Sequence, residues 1–398
     1  MSKRELYIFN PDNDLALANG EANYMPPASA QQMASDLALL PAWYAAPGSA
    51  VLAPSAYNLV FLREMQRLLP IPVDLMTAPE LASDGQFTPV PWGWNPALRK
   101  KLLLAGVEED GLPSLGHIAE LRRLSHRMQV VELLSRLQLN EYFCGESHYL
   151  TRPEEWQSFV EEHKSSLLKA PLSGSGKGLN WCKGMFTSSI SGWCKRIAAL
   201  QGGIMAEPVY DKVIDFAMEF CSDGLGKVRF VGYSVFATNR SGAYEGNVLQ
   251  SDEQTRRELS AYVPGESTLR LQSVLEEELS LRFGRHYAGY LGVDMMLCRF
   301  PGSAPEFRIH PCVEINLRMN MGVVAHMLYD RYVAPSSCGR FSITYHPAPH
   351  EALKDHERMR SEYPLEIEND KIVSGYLPLV SVHRWTSYGA LVKIERIS

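Results

Sequence analysis

The 398-residue sequence predicts an α/β block followed by an α+β block, and three observations carry that expectation. In the N-terminal stretch, short apolar runs alternate with segments of helical period, the pattern of parallel βαβ units and a small doubly wound sheet. Farther on, two apolar runs with alternating polar residues flank a turn containing Pro301, Gly302, Ser303 and Pro305, the pattern of an antiparallel hairpin. The length also exceeds a single typical core, so two or three subdomains are expected.

Taken in order, residues 6–9 read as a buried strand ending in the polar turn Asn10, Pro11, Asp12, Asn13 and Asp14. Residues 28–40 follow as a helix closed by Pro41, 51–53 as a second strand, 59–69 as a second helix and 73–76 as a short third strand. Ligands of such sheets bind at the carboxyl ends of the strands, which makes Asn10, Asp12 and Asn13 candidate substrate residues. An Asx-type turn capping the next segment accounts for them equally well. Pro91-Trp92-Gly93-Trp94-Asn95-Pro96 opens a helix over 97–104 with proline at an early position, and its two tryptophans fit domain packing better than a substrate wall. Residues 115–139 have helical period, while 144–150 and 166–171 read as strands.

With 45% apolar and 21% charged residues the chain has the composition of an ordinary soluble globular protein. Its net charge of -6, with no compensating basic block, argues against nucleic acid as a partner. Seven cysteines without metal-type pairing suggest reduced thiols. The apolar run at 6–9 is too short for a signal peptide and no run is long enough for a membrane span, so a cytoplasmic protein with no membrane partner is expected.

The chemistry concentrates near the hairpin. Glu314, Asn316 and Arg318 alternate with Val313, Ile315 and Leu317, so on a strand they project from one face. Asp294 and Glu314 lie equally far from Ala304, so a hairpin centred there brings the two carboxylates together. Like charges across a ladder need something cationic between them, and a divalent cation such as Mg2+ with oxygen ligands fits. A solvated polar edge is the bland alternative.

Upstream, the strand containing Lys169 runs into Ser173-Gly174-Ser175-Gly176-Lys177-Gly178, whose glycines let backbone N–H groups approach phosphate. It is not a P-loop, because Pro171 stands where that pattern requires glycine. Residues 203–210 form a strand stopped by Pro208, with Glu207 just before it, and Asp215 opens another strand. Residues 235–247 join two strand-like runs through a polar loop holding Arg240 and Tyr244.

The order of lysine strand, glycine loop, Glu-Pro hinge, polar strand and then Asp with Glu-x-Asn-x-Arg resembles the ATP-grasp superfamily over roughly residues 121–325. The resemblance implies a Rossmann-like N-terminal domain at 1–120, an ATP-grasp domain at 121–335 divided at residue 206, and a C-terminal extension at 336–398. It implies ATP and Mg2+ as cofactors, with Mn2+ as a substitute. Lys169 would contact phosphates, 173–178 would form the flap over them, Glu207 and the Val209 backbone would meet adenine, and Asp215 the ribose. Asp294, Glu314 and Asn316 would hold the metal, and Arg318 would lie near the transferred phosphate. Arg127 stands where these enzymes carry another phosphate-binding lysine, and Arg240 and Tyr244 border the acceptor pocket in similar enzymes.

Such enzymes mostly phosphorylate a carboxylate to an acyl phosphate that an amine or thiol attacks, so the expected function is a ligase of small-molecule or peptide carboxylates and amines, and a homodimer is compatible with it. A phosphotransferase acting on a hydroxyl and a non-catalytic nucleotide-binding module are the competing readings.

Overall fold

The computed structural model describes residues 3–84, 87–174, 178–239 and 242–397. The chain forms two compact units, one of Met1–Ala119, Glu245–Asp252 and Arg318–Ser398, the other of Glu120–Tyr244 and Glu253–Leu317.

The first unit contains a parallel sheet of four strands in the order Asp74–Thr77, Ala50–Ala53, Arg4–Ile8, Phe87–Pro91. Three of these strands match the sequence expectation. The fourth escaped it because Pro89 and Pro91 interrupt the run, and proline is tolerated here at the sheet's edge, where no ladder donor is lost. Leu6, Ile8, Met76, Phe87, Leu98 and Leu102 form the core of this layer. The helix Pro96–Leu104 is fixed by Asn95, whose side chain accepts from the Leu98 N–H at 2.9 Å with proline at the first helical turn. The helix expected at 28–40 stops at Asp36, and a tight turn of helix at Leu40–Trp43 carries the buried Leu40, Pro41, Ala42 and Trp43 instead. The C-terminal residues belong to the same unit. Trp43 donates its indole N–H to the Leu379 carbonyl at 2.6 Å, and the strands Ser337–Tyr345, Tyr388–Arg396 and Lys371–Pro378 pair antiparallel.

The second unit has two antiparallel sheets. One orders His148–Leu150, Ile204–Pro208, Ser166–Lys169 and Leu179–Cys182, covered by an apolar cluster of Trp156, Phe159, Val160, Ile190 and Cys194 from two helices. The other runs Phe307–Asn316, Ala288–Arg299, Asp211–Asp223, Val228–Thr238. Its Met218, Val293 and Ile315 form one cross-strand row, and Phe220 and Leu291 part of the next. Residues paired in a ladder share a face. This face is apolar, and the helices Met128–Leu137 and Gly265–Phe283 pack on the sheet. Leu271, Leu275, Leu279 and Phe283 supply a fully buried stripe at the four-residue helical spacing.

The helix expected over 115–139 is two helices, Leu115–Leu124 and Met128–Leu137. The break has a cause: the Arg127 N–H turns outward to the Pro171 carbonyl at 3.0 Å. Among the described residues, no helix is long and apolar enough to cross a membrane, and the seven cysteines are free thiols.

Candidate active site

The hairpin places Asp294 and Glu314 as direct cross-strand partners, although the ladder nearest the turn is centred on Ser303, with Arg299 opposite Phe307 and Met296 opposite His310, and a register shift between Asp294 and Met296 brings the two carboxylates face to face. The opposite face from Met218, Val293 and Ile315 therefore carries the row Ala217, Asp294, Glu314 and beside it Glu219, Gly292, Asn316. Gly292 contributes no side chain, which leaves room between Glu219 and Asn316. The Asn316 amide donates to Asp294 Oδ2 at 3.0 Å.

A cation does sit against this pair, and it is Arg127. Its Nη2 meets Glu314 Oε1 at 2.6 Å. The same guanidinium donates to the Ala170 carbonyl and Ser173 Oγ, each at 2.6 Å, and to the Ser173 carbonyl at 3.0 Å. Arg127 is 6% exposed, and its Nε is buried without a hydrogen-bond partner. Among the described residues no group of three His, Cys, Asp or Glu gathers as a metal site, so a cation here would depend on two carboxylates and the Asn316 amide. That all-oxygen set fits Mg2+, which takes one or two carboxylates and completes its shell with phosphate and water oxygens.

On the other sheet, Lys169 ends its strand fully enclosed and pairs with Glu207 across the ladder, Nζ to Oε2 at 2.5 Å. Glu207 Oε1 accepts from Ser147 Oγ at 3.2 Å. The lysine expected at phosphate and the acid expected at adenine thus hold each other. The Val209 N–H donates to the Ser165 carbonyl at 3.1 Å, so a base would have to displace that bond or take another backbone group. Asp215 pairs with Lys212 and accepts from Thr238 Oγ1 at 3.1 Å. In the glycine loop, Ser173 is bound by Arg127 and Gly174 is buried, whereas Ser175, Gly176 and Lys177 lie outside the described residues, as does Arg240. Tyr244 opens the strand Tyr244–Leu249.

Farther along the Phe307–Asn316 strand, the fully buried Cys312 and His310 continue the face. Burial pushes the Cys312 thiol up and pulls the His310 imidazole down from 6.5 to about 4, so His310 is neutral near neutral pH. Neither ring nitrogen has a hydrogen-bond partner. Tyr210 packs edge-on at 5.5 Å between ring centroids. Gly145, at φ 126°, closes over the ring, and a Cβ there would stand 2.8 Å from His310 Nε2.

In the first unit, Arg318 is gripped by Asp14, Nε to Oδ1 and Nη2 to Oδ2, both at 2.7 Å. Although Arg318 and Glu314 share a parity in the sequence, Glu314 pairs with Arg127. Of the turn residues, Asn10 donates to the Gly93 carbonyl at 2.8 Å and Asn13 is bonded to Asn95 at 3.0 Å, so both buried amides brace the turn against the 93–95 segment. Asp12 is half-buried, and burial raises its carboxyl above the ordinary range. Sequence reasoning missed two residues. Asp14 lay one position beyond the candidates, and Glu219, 1% exposed with Ser234 donating to it at 2.8 Å, shares the parity of Asp215.

No protein-family model matches the sequence, nor does any curated protein. Solved structures do. Biotin carboxylase from Campylobacter jejuni, in a β-γ-ATP complex, aligns with TM-score 0.55 at 12% identity over 98% of this chain and 88% of that one. The biotin carboxylase domain dimer of the 2-oxoglutarate carboxylase from Hydrogenobacter thermophilus, with MgADP, ADP and bicarbonate, gives 0.53 at 12% identity over 99% and 86%. N5-carboxyaminoimidazole ribonucleotide synthetase from Thermus thermophilus gives 0.50 at 12% over 99% and 94%. At these identities the likeness is one of fold.

Proposed function

We propose that this chain, which has the ATP-grasp fold, is an ATP- and Mg2+-dependent ligase that phosphorylates a substrate carboxylate to an acyl phosphate, which an amine or thiol then attacks. One observation carries the reading: Asp294 and Glu314 face each other in register beside Asn316, with the buried Arg127 on Glu314. Two adjacent carboxylates on a ladder are unfavourable unless charge compensation is their purpose.

In this reading Asp294, Glu314 and Asn316 would hold Mg2+. When bound, the ion neutralises charge on phosphate oxygens. Lys169 and Arg127 bind phosphate, Glu207 and the Val209 backbone bind the base, and Asp215 the ribose. The glycine loop 173–178 covers the phosphates. Arg318, two residues beyond Asn316 in the chain, supports the charge that develops as the acyl phosphate forms and collapses. Catalysis is then positioning and charge neutralisation, as phosphoryl transfer generally requires. Asp12 and Tyr244 remain candidates for the acceptor, with Arg240. A homodimer accords with the domain dimer of the Hydrogenobacter thermophilus structure. A cytoplasmic setting accords with seven free thiols.

The test is phosphate release from MgATP against a panel of carboxylates, with and without amines. Release that needs both partners supports a ligase, release with hydroxyl compounds alone indicates a phosphotransferase, and none with any pair removes the reading.

A further inference from the structure

The Arg127–Glu314 ion pair joins a residue assigned to phosphate with a residue assigned to the metal. We propose that this pair is an exchange device that makes the site select nucleotide complexed with a divalent cation over free nucleotide, an inference that rests on the nucleotide-binding reading above.

Arg127 is held on two sides by the Ala170 and Ser173 oxygens, so it keeps its place whichever anion it faces. Its buried Nε has no partner, leaving a donor edge for an incoming anion. Guanidinium stays charged at any working pH, so no proton transfer can relieve a lost partner. If a triphosphate arrived alone and took over the charge of Arg127 where it stands, Glu314 would face Asp294 across the ladder with no counter-charge, beside a further anion. If a cation arrived alone and took Glu314, Arg127 would be left buried and unpaired against a positive ion. Arriving together, each ligand supplies the partner that the other removes. Metal and nucleotide binding are therefore coupled, and by linkage the coupling is reciprocal. The Lys169–Glu207 pair lacks this property, because Glu207 is not on the metal face.

Calorimetry on the full chain, with ATP in Mg2+ and ATP in EDTA, separates the possibilities. Wild type should bind MgATP about 50-fold or more tighter than free ATP. Glu314→Gln should bind free ATP about tenfold tighter than wild type does, with Glu314→Ala gaining at least as much, because Arg127 is released. Asp294→Asn removes the same charge but leaves the pair, and should change free-ATP affinity by less than about threefold. Equal gains in the Asp294 and Glu314 variants would reduce the effect to local charge and overturn the exchange, as would unchanged or weaker free-ATP binding in both Glu314 variants. Absence of any nucleotide binding by folded wild type would overturn the nucleotide reading itself, and the exchange with it.

Discussion

Lys169 and Glu207 are each about 4% exposed and bound to one another, a geometry in which the loss of one partner costs more than the pair contributes. Lys169→Ala should lower unfolding stability by about 3 kcal/mol, and Glu207→Gln added to it should restore most of that loss. Urea denaturation of the two variants reads both numbers. Arg318 makes the contrasting case, because its partner Asp14 retains 24% side-chain exposure and the pair is partly screened. Arg318→Met should cost stability of no more than about 1 kcal/mol, yet lower the single-turnover rate about a hundredfold or more with the MgATP dissociation constant unchanged. A variant that melts early but turns over normally would make Arg318 an anchor for Asp14 and nothing more.

At the scale of elements, the hairpin was the most legible part of the molecule, because a period of two and a turn between two apolar runs put the polar residues of both strands on one face. The pairing of Asp294 with Glu314 also needs the register shift between Asp294 and Met296, which counting does not show. The edge strand Phe87–Pro91 was not legible, since its prolines are allowed only by its position at the sheet's edge, which is a tertiary fact. Nor was the break at residues 125–127, where helical period continues but the Arg127 backbone bonds to Pro171. Ion-pair partners were the least legible, because Arg127 and Glu314 are brought together by the folded unit and not by spacing. The Phe307–Asn316 strand also carries an expectation in pH. His310 folds as a neutral, buried imidazole titrating near 4 against 6.5 when unfolded. Its contribution is complete above the unfolded value and is lost as pH falls through the interval towards 4, where the unfolded chain takes up a proton that the native state refuses. Across that interval wild type should lose about 3 kcal/mol more stability than His310→Leu, measured by denaturation at stepped pH. Parallel curves for the two proteins would show that the ring is protonated in the fold.

For the whole molecule, both units follow the sequence order only in part, since the segments Glu245–Asp252 and Arg318–Ser398 return to the N-terminal unit. A ligand bound by the native state alone stabilises the entire chain by mass action, so MgATP at a hundred times its dissociation constant should add about 2.7 kcal/mol to unfolding, and Asp294→Asn should lose most of that gain at the same concentration. Thermal melts with and without MgATP check it. Activation of a carboxylate by ATP leaves a signature in the isotopes of the released phosphate. With a carboxylate labelled in both oxygens with oxygen-18 and its amine partner, each phosphate released during ligation should carry one labelled oxygen, because the acyl phosphate breaks at the carbonyl. Unlabelled phosphate from a reaction that forms the product, or phosphoryl transfer to a hydroxyl without any carboxylate, would rule out an acyl phosphate in this enzyme.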